Sequence, residues 1–358
     1  MNTFSKATLM LLSILFLFAF ISPAFAISDE ALALLREDCQ QQAVDPAEYG
    51  LGLHIAALFV ILFTSSLGAF IPVTAKRYPS LRIPKLAFFV AKHFGTGVIL
   101  ATAFIHILPS AFSRLNSYCL DPIWWDTYPS FPGAFAMIAA LGIFVVEYVA
   151  TTMVGEGHSH SLPKPASADA NANANGTTSN TDDDKFFHCS ELAVLSSNAQ
   201  SLGIIILEAG ICFHSVIIGM DLSVSTGSDF TSLWIALVFH QLFEGLGLGS
   251  RIAELHDART IKPWILSFLY GTTTPLGIAI GIGVRFTYDA NSPTSLLIQG
   301  ILDSLSAGIL LYTALVQLIA SDFIIDPYFR KQPKSYQVSA FALLLFGALI
   351  MSLIGRWA

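Results

Sequence analysis

The chain has 358 residues, of which 54% are hydrophobic and only 12% are charged, and its mean hydropathy is +0.65. A soluble protein of this length needs far more charge to cover its surface, so the composition predicts an all-α, polytopic membrane protein embedded in a lipid bilayer. The formal net charge of −7 resides mostly in loops and termini. The sequence has no basic stripe, which argues against nucleic acid as a partner.

Residues 1–26 are typical of a secretory signal peptide. Lys6 precedes an apolar stretch over 9–21, and the tripeptide Ala-Phe-Ala at 24–26 offers a cleavage site before a polar segment. A signal anchor that is not cleaved is the alternative. Cleavage would leave 27–50 as an N-terminal segment on the lumenal or extracellular side.

Eight later stretches are apolar enough to span a bilayer, which takes about 20 mostly apolar residues. Several contain Gly, Ser and Thr, which let helices pack closely within a bundle. The predicted spans are residues 51–74, 87–110, 131–153, 200–222, 231–251, 263–286, 296–319 and 337–356. The chain therefore divides into spans 1–3 (51–153), a linker (154–195) and spans 4–8 (196–358).

Lysine and arginine are concentrated in alternate connections between these spans. Because basic connections face the cytosol, both termini are expected on the outer side of the membrane. The opposite connections contribute only Arg114 and Arg285 between spans. The basic residues of the three connections assigned to the cytosol are Lys76, Arg77, Arg82, Lys85, Arg251, Arg259, Lys262, Arg330, Lys331 and Lys334.

The linker 154–195 is predicted to be a disordered cytosolic loop. It carries alternating Ala and Asn over 168–175 and almost no bulky apolar residue in its first half, so it cannot support a packed core. His158 and His160 stand near its start. This pair could bind a metal ion weakly, as a sensor or relay, or could be solvated histidines with no fixed role, and both interpretations stay open.

Four cysteines are present. Cys39 and Cys119 both fall in segments predicted to lie outside, where disulfides persist, so a Cys39–Cys119 bridge is expected. Cys189 lies in the cytosolic linker. Cys212 lies within span 4 and is interpreted as a small core residue.

Three ionisable side chains, His214, His240 and Glu244, lie near the middle of spans 4 and 5. An ionisable group at that depth costs several kcal/mol unless it is paired or coordinated. His240 and Glu244 are four residues apart and share one helix face. His214 lies about 12 Å from the end of span 4 and His240 about 14 Å from the start of span 5, so their depths agree. Imidazole suits Zn, Fe, Cu or Ni, so these residues predict a transition-metal site; a His–Glu hydrogen bond without metal is the alternative.

Other polar residues in the spans admit two interpretations each. His106 in span 2 either lines the same pathway or has a structural role. Asp221 lies on the face of His214 near the outer mouth, where it would concentrate cations or simply be solvated. Asp303 and Gln317 in span 7 are more typical of hydrogen bonds within the bundle than of metal ligands.

Two runs in the sequence resemble signatures of the ZIP (Zrt/Irt-like) family of divalent-metal transporters. The run LEAGICFHSVIIG over 207–219 resembles the fourth-span signature, and HQLFEGLGLG over 240–249 resembles the fifth. The eight spans, the outward termini and the variable loop after span 3 also match, so the resemblance covers roughly residues 50–356. Further family-like stretches are GVILATAFIH (97–106), GTTTPLG (271–277) and SAGILLY (306–312).

Carried over residue by residue, the resemblance implies that His214, His240 and Glu244 are primary metal ligands in a transport pathway. Ser215 and Gln241 occupy positions that imply secondary ligands. The metal ion is then the substrate, and no cofactor is implied.

The chain also departs from the family pattern. Members with a two-metal centre place a carboxylate or amide at the positions of Ser215, Ile218, Gln241 and Thr274. Because Ile218 cannot ligate and Thr274 offers only a hydroxyl, a single-ion site completed by water or Ser215 is expected. Ser110 stands where many relatives have an acid, which argues against an entrance carboxylate there.

The resemblance implies an uptake carrier that moves Zn²⁺, with Fe²⁺ as the second candidate, into the cytosol by a rigid-body shift of one helix group against another. A homodimer is implied at the family level only. The secretory signal points to the plasma membrane, with the vacuolar membrane as the alternative.

Rival functions are a broad-range Fe/Mn/Cd importer, an intramembrane zinc metallohydrolase and a scaffold with structural zinc. The sequence has no His-Glu-x-x-His motif for the hydrolase and no Cys-rich closed site for the scaffold. The chain is therefore expected not to be an enzyme.

Overall fold

The computed structural model describes residues 49–156, 181–255, 260–285 and 292–356, with side chains described except at 79, 150–156 and 181–200. Every regular element in these ranges is helical, and eight helices are long and apolar enough to cross a membrane. They are α1 (Leu51–Arg77), α2 (Lys85–Leu115), α3 (Phe131–Glu156), α4 (Thr181–Val224), α5 (Gly227–Glu254), α6 (Lys262–Val284), α7 (Pro293–Tyr312, continued as a π-helical segment Thr313–Ile325) and α8 (Lys334–Ile354). The prediction of an all-α bundle with eight spans is confirmed.

Several helix boundaries differ from the sequence prediction, and two of the differences matter for the description below. α2 continues to Leu115, so Arg114 lies inside a helix rather than in a connection. α4 begins at Thr181, inside the stretch 154–195 that was predicted to be a loop. Three aspartates follow Thr181, and acidic residues in a first turn favour a helix N-terminus. Residues 157–180 of the predicted loop, with His158 and His160, lie outside the described residues, as does the predicted signal peptide at 1–26.

The eight helices form two groups. The first helix group comprises α1, α4, α5 and α6, which pack mainly on one another, and the second helix group comprises α2, α3, α7 and α8. The groups meet chiefly where α2 lies against α5 and α7 against α4. This division matters for the site described below, because that site draws side chains from both groups.

Glycines allow backbones to touch at several crossings, as expected for helices that pack in a bilayer. In the second helix group, a Cβ on Gly97 of α2 would overlap the Leu344 carbonyl of α8. Between the groups, a Cβ on Gly95 of α2 would overlap Gly247 of α5. Bulkier residues at these positions would force the helices apart.

α2 contains a π-helical segment, Thr102–Ile107, between its α-helical parts. Such segments are rare and occur mostly at functional sites. The segment carries His106, whose side chain is buried.

α3 lies at the edge of the bundle. Only 11% of the residues in its most apolar 18-residue stretch are buried inside the bundle. Its exposed side chains include Ile138, Leu141 and Phe144. A broad exposed apolar face on a membrane-length helix is the surface expected toward lipid.

The start of α1 and the end of α4 are tied together by hydrogen bonds. The Tyr49 hydroxyl donates to the Ser223 carbonyl at 2.8 Å, and His54 Nε2 lies 3.0 Å from the Ser225 carbonyl. Residues just before α1 therefore lie at the same end of the bundle as the C-terminus of α4.

Cys119, in the connection after α2, is disulfide-bonded, and its partner lies outside the residues whose side chains are described. Cys212 is free, which leaves Cys39 and Cys189. On α4, Cys189 precedes Asp221 by about 48 Å at 1.5 Å per residue, and Asp221 pairs with Arg114 near Cys119. Cys39 lies outside the described residues, so the Cys39–Cys119 bridge stays a prediction.

We therefore expect digestion without reduction to yield one linked peptide pair containing Cys39 and Cys119. Mass spectrometry of the purified protein measures this. Cys212 serves as the internal control because its peptide should be recovered with a free thiol. Recovery of unlinked Cys39 and Cys119 peptides would contradict the pairing.

Candidate metal-transport site

Three buried imidazoles from three helices converge at the interface between the helix groups. His106 comes from the π-helical segment of α2, His214 from α4 and His240 from α5. The ring centroid of His106 lies 5.1 Å from that of His214 and 5.3 Å from that of His240, and the His214 and His240 centroids are 6.3 Å apart. The structure thus brings His214 and His240 together and places His106, a secondary candidate from the sequence, beside both.

These separations suit one ion held by several imidazoles. With a metal–nitrogen distance of about 2.0–2.1 Å and tetrahedral angles, two imidazoles on one zinc ion have ring centroids roughly 5 Å apart. Two of the three pairs have that separation, and the pair of His214 and His240 is wider. Among the described residues, however, no three His, Cys, Asp or Glu side chains converge closely enough to hold an ion in this conformation. An ion bound by these side chains would require them to rotate from the positions described.

The donor atoms of the predicted ligands are buried and lack hydrogen-bond partners. They are Nε2 of His214, both ring nitrogens of His240 and both carboxylate oxygens of Glu244. His240 Nε2 lies 3.5 Å from Glu244 Oε2, too long and poorly aligned for a hydrogen bond. Because most buried polar atoms in proteins are hydrogen-bonded, five such atoms in one place need an explanation, and a bound cation is one.

The second ring nitrogen of His214 contacts a network of charged side chains, which we call the Arg114 network, formed by Asp303, Arg114 and Asp221. His214 Nδ1 lies 3.2 Å from Oδ1 of Asp303 on α7. The other oxygen of Asp303 pairs with Arg114 of α2, and Arg114 also pairs with Asp221 of α4. Asp303 thus makes hydrogen bonds within the bundle, as its sequence predicted, but one of them is to a predicted metal ligand.

The Arg114 network changes the interpretation of Asp221. The Asp221 carboxylate is only partly exposed, and the Arg114 guanidinium pairs with it. Simple solvation at the membrane interface therefore does not describe Asp221 in this conformation.

Gln241 is engaged in packing rather than directed at the histidines. Its amide nitrogen donates to the Thr274 hydroxyl at 2.7 Å, and its amide oxygen accepts from Ser65 at 3.4 Å. Tyr270 donates to the Gln241 carbonyl at 2.6 Å. Gln241 therefore joins α5 to α1 and α6, and Thr274 is occupied by the same network.

Ser215 and Ile218 behave differently from each other. The Ser215 side chain is fully buried, and its hydroxyl has no hydrogen-bond partner, so it is available to an ion or a water molecule. Ile218 packs in an apolar cluster with Leu222 and Ile278.

Glu208 lies on α4, six residues before His214. Its side chain is buried and neither carboxylate oxygen has a hydrogen-bond partner. A carboxylate in an apolar run was the only available signal, and the helical spacing from His214 did not place both residues on one face.

A second network of charged side chains lies between the two helix groups, at the end of the bundle away from Arg114. Lys92 of α2 lies 3.0 Å from Glu254 and 3.2 Å from Asp322, and Arg251 lies 2.6 Å from Asp322. Arg251 also donates to Thr96 at 2.6 Å. Lys92 and Arg114 are separated by roughly 30 Å along α2, so charged networks stand at both ends of α2 with the histidines between them.

A cavity of about 320 Å³ lies beside this second network, between α3, α4 and α7. Its polar lining includes Glu147, Arg251, Gln317 and Asp322. The Glu147 carboxylate accepts hydrogen bonds from Tyr312 at 2.8 Å and Gln317 at 3.0 Å. Water and ions have room at this end of the bundle.

Eight membrane-length helices around buried histidine and carboxylate side chains indicate a multi-pass membrane protein. A sequence model of the family described as ZIP zinc transporter matches residues 51–355. The chain belongs to this family. It is therefore a transporter and not an enzyme.

Relatives from fungi and plants align along most of their length. The chain is 39% identical to zinc-regulated transporter 1 of Saccharomyces cerevisiae over 333 residues, which covers 86% of this chain and 88% of the yeast protein. It is 39% identical to zinc transporter 3 of Arabidopsis thaliana over 305 residues, covering 85% and 84%. It is 34% identical to Fe(2+) transport protein 1 of Arabidopsis thaliana over 362 residues, covering 99% of each chain.

Proposed function

We propose that this protein carries Zn²⁺, with Fe²⁺ as a second substrate, across a membrane through a site formed by His214, His240 and Glu244. The observation that carries the proposal is the set of buried donor atoms without hydrogen-bond partners on these three residues. His106 faces both histidines and is added as a fourth candidate ligand.

The choice of ion follows from ligand chemistry and from the relatives. Imidazole nitrogen suits Zn²⁺ and Fe²⁺ better than Mg²⁺ or Ca²⁺, which prefer oxygen ligands. The relatives named above are two zinc transporters and one Fe(2+) transport protein. A broad-range importer that also takes Mn²⁺ and Cd²⁺ is the second candidate, because such ions share these ligands.

A single ion is proposed rather than a pair. Ile218 offers no donor atom and packs among apolar residues. Thr274 and Gln241 hydrogen-bond to each other, so neither is open to a second ion in this conformation. Ser215 or water completes the coordination.

The proposed direction is into the cytosol. The basic connections predicted to be cytosolic follow α1, α5 and α7, and therefore join the bundle at the end of Lys92, Arg251 and Asp322. Ions then enter from the end of Asp221 and leave past the cavity lined by Gln317 and Asp322. Exposure of the site changes when the two helix groups shift against each other, in the manner of an elevator.

The proposed location is the plasma membrane, with the vacuolar membrane as the alternative, and assembly as a homodimer is proposed from the family resemblance alone. His158 and His160, which lie outside the described residues, are proposed to receive the ion or report its cytosolic level.

Purified protein in liposomes should accumulate radioactive zinc down a zinc gradient, whereas liposomes without protein should not. Competition by Fe²⁺, Mn²⁺ and Cd²⁺ measures the ion range: strong inhibition by Fe²⁺ alone supports the narrow proposal, and equal inhibition by all three supports the broad-range importer. Liposomes that show no protein-dependent zinc flux would overturn the proposal.

A further inference from the structure

His214 has two ring nitrogens with different surroundings. Nδ1 faces the Asp303 carboxylate at 3.2 Å, while Nε2 is buried without a partner. A carboxylate accepts hydrogen bonds, so Nδ1 carries the proton and donates. With a proton on Nδ1, the lone pair of Nε2 is left free to bind a metal ion.

This arrangement is the one that tunes metal-binding histidines in proteins. A ligating imidazole usually donates its second N–H to a carboxylate or carbonyl, which fixes the ring orientation and makes the ligating nitrogen more basic. Loss of such a partner typically costs about 10–100-fold in metal affinity or activity.

Asp303 is itself held in place. Its side chain is fully buried, and a buried carboxylate without a partner is costly. Arg114 supplies the compensating charge through one guanidinium nitrogen, and its other terminal nitrogen pairs with Asp221. One oxygen of the Asp303 carboxylate therefore contacts Arg114, and the other contacts His214. Arg114 and Asp303 both belong to the second helix group, whereas His214 belongs to the first.

We propose that Asp303, anchored by Arg114, is a positioning residue that orients His214 and strengthens its bond to the transported ion. The inference rests on the proposed function, because it requires His214 to be a ligand. Asp303 does not touch the ion itself in this assignment.

Asp303→Ala should raise the half-saturating Zn²⁺ concentration for uptake by about 10–100-fold while the maximal rate per protein at the cell surface stays close to that of wild type. Zn²⁺ binding to purified protein, measured by equilibrium dialysis, should weaken by a similar factor. Asp303→Asn should show a smaller change, because the amide oxygen still accepts a hydrogen bond but carries no charge. Ser304→Ala is the matched control, since the Ser304 hydroxyl bonds only to Gly300 within α7.

Asp303→Ala removes one of the two carboxylates that pair with the partly buried Arg114, and the variant could fail to fold. In that case the triple variant Arg114→Met/Asp221→Asn/Asp303→Leu removes all three charges of this network, and replacing a buried charged network by uncharged residues is often neutral for stability. It should reach the surface and show the same rise in half-saturating concentration. The rise is expected because His214 still lacks its acceptor.

Three outcomes distinguish failure of this inference from failure of the proposed function. An inactive His240→Ala variant together with wild-type half-saturation in Asp303→Ala would overturn the positioning role and leave the site standing. A fall in maximal rate with unchanged half-saturation and unchanged Zn²⁺ binding would assign Asp303 to structure alone and also overturn the proposal. Wild-type transport by His240→Ala would overturn the proposed site.

Discussion

Replacing His240 with alanine is expected to reduce uptake of radioactive zinc to the background of cells that lack the protein. His240 lies between His106, His214 and Glu244, and both of its ring nitrogens are buried without hydrogen-bond partners. Its removal deletes a proposed ligand but breaks no side-chain hydrogen bond among the described residues. The protein should therefore still reach the cell surface, which surface biotinylation measures beside uptake.

Phe239→Ala is the matched control for this variant. Phe239 is the neighbouring residue on α5, and its side chain is exposed on the outer face of the bundle. Both variants lose a ring from the same helix, so loss of uptake only in His240→Ala assigns the effect to the imidazole. Normal uptake by His240→Ala would show that the ion follows another route.

Gly97→Val is expected to cause the largest loss of stability. A Cβ at this position overlaps the carbonyl oxygen of Leu344 and comes within 2.9 Å of the Ala348 nitrogen. The obstacle is backbone, which cannot rotate away, so α2 and α8 must separate. Overpacking of this kind costs about 1–3 kcal/mol and sometimes more. A lower melting temperature in detergent and less monodisperse protein on size exclusion should result.

Gly142→Val tests whether the effect is local crowding rather than a general cost of valine. Gly142 lies on α3, and a Cβ there meets no atom within 4 Å. Its variant should melt close to wild type. A Gly97→Val protein with wild-type melting temperature would mean that the contact between α2 and α8 is looser than the structure describes.

Hydropathy was sufficient to locate all eight helices, because a membrane span must be long and apolar whatever its neighbours are. Hydropathy did not predict the end of α2 correctly, because a charged residue such as Arg114 lowers the local hydropathy and is taken as the end of a span. The guanidinium remains inside α2 because Asp221 and Asp303 come from two other helices to pair with it. That compensation depends on tertiary packing, which hydropathy does not contain.

The site was partly predictable for a similar reason. Depth along spans 4 and 5 placed His214 and His240 at one level, and the structure brings their rings to 6.3 Å. His106 and Asp303 lie far away in the sequence, and only the crossing of α2 and α7 over α4 brings them to His214. Motif spacing could not show that Gln241 and Thr274 hydrogen-bond to each other instead of facing the ion path.

The π-helical segment Thr102–Ile107 also affects how sequences of relatives are aligned. Each N–H in such a segment bonds one residue further back than in an α-helix, so the segment accommodates about one additional residue. One residue corresponds to a rotation of about 100°, so a helical wheel through α2 gives the wrong angle between Gly97 and Arg114. A relative that lacks one residue in this stretch is therefore expected to have a regular α-helix here. The residues before and after the gap would keep their packing partners, and the helix would not be shorter.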